Sequence, residues 1–131
     1  MKTKKSWQEK LDNASRPHVV AAPERWVSGA KNKTMLIPSA WELDAIVRQI
    51  PAGQTRKMSD IRAAMAAAHG SDITCPMTSG IFLRMLAEYA EEQREAGKED
   101  ITPYWRVTDD KGKLLPKLAL VMEAHHQPPS S

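Results

Sequence analysis

A mostly helical α+β fold, three helices followed by a small β-hairpin, is the architecture this sequence predicts. Two observations carry it. Three stretches place apolar residues at i, i+3, i+4 and i+7, the mark of one buried helical face, and each stops at a proline or glycine. After the third, Ile101–Leu115 reads as extended chain, a turn and a return.

The elements follow in order. Residues 1–34 form an arm, expected to be partly ordered and laid over the domain. Trp7 and Leu11 suggest a short amphipathic helix, Arg16–Glu24 with its two prolines suggests extended chain, and Trp7 and Trp26 suit packing anchors. Thr34–Pro38 reads as a short strand or an extended lead. Ser39 then opens the first strong helix with the capping-box spacing Ser39-x-x-Glu42. Its apolar face is Leu43, Ile46, Val47 and Ile50, and Pro51 ends it, because the residue before proline avoids the helical region. A turn through Gly53 leads to a second helix, Asp60 to about Ala68, capped by Ser59, with Ile61, Ala64, Met65 and Ala68 on one face and Gly70 closing it.

The longest helix is expected from Cys75 to Gly97. Pro76 suits the first turn, where its missing N–H costs nothing. Phe82, Met85, Leu86 and Tyr89 give the apolar face, and Gly97 suits the stop. The first turn, Met77, Thr78, Ser79 and Gly80, is small or uncharged, so it can approach a phosphate or a groove closely; the pattern equally suits a core helix with a polar tip. Pro103 interrupts the extended stretch that follows, Asp109–Gly112 is the turn, and Leu114 and Leu115 begin the return strand. Leu118–Ala124 reads as a short last helix, with His125–Ser131 a frayed tail. The domain proper is expected over 35–118, with 119–131 appended. Helices in this order with a hairpin after the third make a winged-helix-like domain, in which the third helix meets the groove.

Composition bounds the function. At 131 residues the chain suits one domain. One cysteine excludes an internal disulfide and fits a reducing, cytoplasmic setting. Met1–Leu11 is basic without the apolar run of a signal peptide, and no run is long enough to span a bilayer. The net charge of +3 permits nucleic-acid binding without requiring it. Basic residues cluster at Lys2, Lys4, Lys5 and Lys10, at Arg56 and Lys57, and at Lys111, Lys113 and Lys117, whereas Glu88, Glu91, Glu92, Glu95, Glu99 and Asp100 make the far half of the long helix acidic. Asp109 and Asp110 suit a turn, and His125 and His126 lack the spaced partners of a metal site. No metal or cofactor is expected.

Ile50-Pro51-Ala52-Gly53 followed by Met58-Ser59-Asp60-Ile61, then Pro103-Tyr104-Trp105-Arg106-Val107 with Gly112 and Leu114, resembles the DNA-binding domain of methylated-DNA–protein cysteine methyltransferases. The segments match its Ile-Pro-x-Gly, Tyr-Gly-Asp-Ile, Pro-Cys-His-Arg-Val and Gly-x-Leu in order, over roughly Ser39–Leu115. The resemblance implies a DNA-binding fold in which Pro51, Gly53, Pro103, Arg106 and Gly112 are structural. It also implies loss of the chemistry. The alkyl-accepting cysteine falls at Tyr104 and its activating histidine at Trp105, and a phenol of pKa about 10 beside an indole offers no activated nucleophile. The family's nucleotide-rotating tyrosine falls at Met58, and its arginine finger at Met77, in the frame of Pro76 and Gly80. In this respect the chain looks closer to alkyltransferase-like proteins, which bind alkylated guanine and flag it for other repair machinery.

The expected function is therefore recognition of alkylated or damaged double-stranded DNA without alkyl transfer. Tyr104, Trp105 and Met58 would line the lesion pocket. Met77, Thr78, Ser79 and Gly80 would enter the groove with Arg84 near the backbone, and Lys57, Arg62 and Lys111 would meet phosphates. Repair proteins are the expected further partners. A protein-interaction or transcription-related winged-helix module without a pocket is the alternative, and an enzyme using Cys75 as a displaced acceptor, aided by the helix dipole, is a second.

Overall fold

The computed structural model describes residues 6–126; Lys2, Lys4 and Lys5 of the basic arm and most of the expected tail, 127–131, lie outside them. Helix α1 (Trp7–Asn13) starts at Ser6, whose hydroxyl accepts the Glu9 N–H. Strand β1 (His18–Ala21) pairs antiparallel with β2 (Thr34–Ile37), which pairs parallel with β4 (Ile73–Thr74). Helix α2 (Ala40–Arg48) begins where the capping spacing places it: Ser39 Oγ accepts the Glu42 N–H at 3.3 Å. Strand β3 (Arg56–Lys57) runs straight into helix α3 (Met58–Ala68). Helix α4 (Pro76–Glu95) is the long one, stopped by Gly97 in the left-handed region at φ +88°. Strand β5 (Val107–Thr108) and helix α5 (Pro116–His126) complete the chain.

The result is a mixed α/β domain of five helices and five short strands among the described residues. The described part of the arm is built into the same core: Leu11 is fully buried with Leu43, Ile61, Leu86, Tyr104 and Leu118. No helix among the described residues is long and apolar enough to cross a membrane.

Several expectations need correction. The hairpin does not form. Val107 and Thr108 pair instead with Arg56 and Lys57, in parallel. Before them Tyr104–Arg106 coils into a 3-10 turn, with the Arg106 N–H on the Pro103 carbonyl. On the return side a single antiparallel bridge, Thr108 to Leu114, is all that remains, because Pro116 has no N–H to donate and starts α5 two residues later. Helix α3 starts at Met58, and Ser59 does not cap it; the Ser59 hydroxyl donates to Asp110 Oδ1 at 2.7 Å. On α4 the fully buried line is Ser79, Leu83, Leu86, Ala87, Ala90 and Glu91, one position round from the expected face, because α1, α2 and α5 all pack on it. Phe82, Met85 and Tyr89 form its half-buried margin, Tyr89 meeting Trp41 edge-on at 5.8 Å. His125 belongs to α5 rather than to a tail: its Nδ1 lies 2.5 Å from Glu95 Oε1 and its Nε2 3.2 Å from Glu88 Oε2. The acidic half of α4 therefore serves internal contacts as well as solvent.

Candidate nucleic-acid interface

A cavity of about 400 Å³ opens where α3, α4 and α5 converge, within the range of roughly 300–1,000 Å³ common for small-ligand sites. Its walls are apolar: Met58 from the start of α3, Leu83 from α4, and Leu115 and Leu118 around the start of α5. The turn between β5 and α5 supplies Asp109 and Asp110. That turn is self-bracing, since Asp109 Oδ1 accepts the N–H groups of Lys111 at 2.8 Å and Lys113 at 2.9 Å. The Lys113 bond above all holds the Asp109 carboxyl below its usual range, so it stays charged at neutral pH. The Ser59–Asp110 bond ties the turn to α3 across the cavity.

Two cations, Arg62 and Lys117, join Asp109 and Asp110 in the lining. Arg62 lies in the wall, and its carbonyl is anchored by the Thr74 hydroxyl at 2.7 Å. Lys117 reaches over α4, its Nζ 3.0 Å from where a Cβ on Gly80 would stand. Lys57 precedes Met58, Lys111 follows Asp110, and both are exposed. Arg84, also exposed, shares a neighbouring hollow with Lys117 and Glu88.

Of the residues singled out from the sequence, Met58, Arg62 and Gly80 therefore meet at one cavity, and Lys57 and Lys111 are exposed next in sequence to lining residues. Met77 is 63% exposed on the first turn of α4, and Ile81, one turn on, is 51% exposed. Thr78 is half-buried, its hydroxyl donating to Cys75 Sγ at 3.1 Å. Ser79 cannot enter a groove: it is fully buried, its hydroxyl on the Cys75 carbonyl at 2.7 Å, because position 79 lies in line with Leu83 and Leu86. Cys75 itself is buried at the helix start, its sulfur accepting from Thr78, and does not line the cavity.

Tyr104 and Trp105 do not line it either, which corrects the expected lesion pocket. Tyr104 is fully buried, and its hydroxyl donates to Glu91 Oε2 at 2.6 Å. Burial, reinforced by Glu91, pushes its phenol far above the ordinary range, so it stays neutral. Glu91 lies fourteen residues along α4 from Met77, roughly 21 Å of helix. Trp105 points to a different face, beside Arg48, Asp100 and Arg106, its ring set edge-on to Tyr104 at 5.3 Å. The segment is pinned throughout: the Thr102 hydroxyl donates to buried Asp44, and Arg106 Nη1 donates to the Ile50 carbonyl at 2.7 Å. Arg106 thus joins the two parts of the chain that carry the resemblance.

The sequence reading missed Leu115, Lys117 and Leu118 as cavity residues. Pro116 was the available signal, since proline at a helix start would have put Lys117 in a first turn. Among the described residues no group of three or more His, Cys, Asp or Glu could hold a metal ion. Comparison with protein-family models, curated proteins and solved structures gives no match.

Proposed function

We propose that the protein binds double-stranded DNA and holds an extruded, alkylated or otherwise damaged base in the cavity between α3, α4 and α5, without covalent chemistry. The observation that carries this reading is the cavity itself. Its apolar walls suit a base face, Arg62 and Lys117 stand in its lining beside Asp109 and Asp110, and Met58 and Gly80, placed at a DNA-binding site by the resemblance to methylated-DNA–protein cysteine methyltransferases, both line it. The braced 109–113 turn closes one side of the cavity, tied to α3 through Ser59 and Asp110. Met77 supplies an apolar wedge of the kind that enters base steps.

No alkyl transfer is assigned. The position matching the acceptor is Tyr104, neutral and turned to Glu91, and Cys75 is buried away from the cavity. The reading thus resembles the alkyltransferase-like proteins, with a binding pocket displaced from the aromatic pair towards Met58 and α5.

The test is anisotropy titration of a labelled duplex carrying one O6-methylguanine against the same duplex with guanine, across a salt series. Lys57, Arg62, Arg84 and Lys111 as phosphate contacts contribute about −3.6 to the slope of log affinity against log salt, with the lesion duplex bound more tightly. A slope near zero removes DNA as the partner. Equal, weak binding to both duplexes favours the other reading, a protein-docking module, for which the exposed pair Met77 and Ile81 is the supporting feature.

A further inference from the structure

Gly80 stands inside a helix, where alanine would ordinarily be more stable. Its backbone is ordinary for a helix, so no unusual dihedral calls for glycine there. What the missing side chain provides is space, and the Lys117 ammonium occupies it, 3.0 Å from where a Cβ would be. Lys117 makes no ion pair among the described residues, and it borders both the cavity and the adjoining hollow with Arg84. A cation outside any ion pair at the edge of a largely apolar cavity, with Arg62 in the same wall and Asp109, Asp110 and Glu88 the nearest acids lining the two hollows, matches the shape of a nucleotide: an aromatic base with an anion at its edge.

We infer that Lys117 contacts the phosphodiester flanking the nucleotide whose base occupies the cavity, and that Gly80 is the clearance that lets it lie there. The inference rests on the proposed function and assigns a contact that reading lacks. Lys117 selects for an extruded nucleotide, because only with a base in the cavity does its phosphate come to this rim. A cation on the outer surface would instead strengthen binding to every duplex alike.

The experiment compares wild type, Lys117→Met, Gly80→Ala and Lys98→Gln, the last removing one charge at the far end of α4. The probes are the O6-methylguanine and guanine duplexes over a salt series. With Lys117 as a fifth phosphate contact, the wild-type slope on the lesion duplex is about −4.5, and Lys117→Met brings it to about −3.6. The variant loses about tenfold affinity for the lesion duplex, the size of one charge-assisted hydrogen bond, and little for the guanine duplex. Gly80→Ala shifts affinity in the same direction by less while raising the melting temperature, which separates lost contact from lost fold. Lys98→Gln matches wild type. Wild-type lesion binding with Lys117→Met unchanged in slope and preference overturns the inference and leaves the proposed function standing, as does an equal loss in Lys98→Gln. Wild type with no salt-dependent binding overturns the proposed function itself.

Discussion

Tyr104→Phe isolates one hydrogen bond in the middle of the domain. The substitution keeps the ring and its packing and removes only the hydroxyl, which sits 2.6 Å from a carboxylate that is 1% exposed. A bond between a neutral donor and a buried charge contributes about 1.5–3 kcal/mol net, so the variant is expected to be about 2 kcal/mol less stable. Glu91 keeps its bond from Arg94 Nε at 2.8 Å, which argues against the much larger loss expected of a wholly abandoned charge. Urea unfolding measures the difference, and a cycle with Glu91→Gln isolates the pairwise part. Alkaline pH adds a second arm. The folded phenol titrates above the unfolded one, whose pKa is about 10. Wild type therefore keeps this contribution below that pH and loses it as pH rises beyond, whereas the phenylalanine variant lacks that loss. A variant within about 0.5 kcal/mol of wild type, with the same alkaline limb, would refute the placement of the hydroxyl on Glu91.

Tyr104→Cys, which puts a cysteine where the resemblance would set an alkyl acceptor, is expected to take no label from methylguanine DNA, because the position faces Glu91 and not the cavity; labelled-DNA incubation checks it. Arg106→Ala removes the 2.7 Å bond to the Ile50 carbonyl and should cost about 1–3 kcal/mol in urea, with the lesion preference of the remaining folded protein unchanged by titration. His125→Gln tests the tie between α4 and α5. Hydrogen bonding to Glu95, more than to Glu88, raises the His125 pKa above its ordinary 6.5. The added stability is then complete below about 6.5 and fades as pH rises through the raised value, so wild type and variant should converge in melting temperature on the alkaline side and separate on the acid side.

Local grammar made much of the fold legible. Ser39 caps α2 because its side chain needs only a donor three residues away. Pro76 and Gly97 bound α4 because their backbone limits are intrinsic. What local grammar could not supply was pairing between distant segments. Val107 and Thr108 have the same strand preference whether the partner is Leu114 or Arg56, and the choice fell to the parallel partner fifty-one residues back. The same holds at the site. Met58, Arg62 and Gly80 were legible through motif and charge. Tyr104 was misplaced, because a sequence carries no sign that a phenol will turn inward to a glutamate thirteen residues earlier. Lys117 escaped because its nearness to Gly80 joins two helices thirty-seven residues apart, although Pro116 marked the helix start beside it.

The two-residue ladder between β3 and β5 has a consequence for how the cavity comes into being. Met58 and Ser59 directly follow one strand, and Asp109 and Asp110 directly follow the other. Two opposing walls are therefore hung from a single splice that joins regions far apart along the chain, with α3 and α4 looped between. Pairing at such long sequence separation carries a loop-closure cost, and a fragment ending before Val107 lacks one of the two strands that hold the mouth. The cavity is then a property of the finished molecule rather than of any one helix.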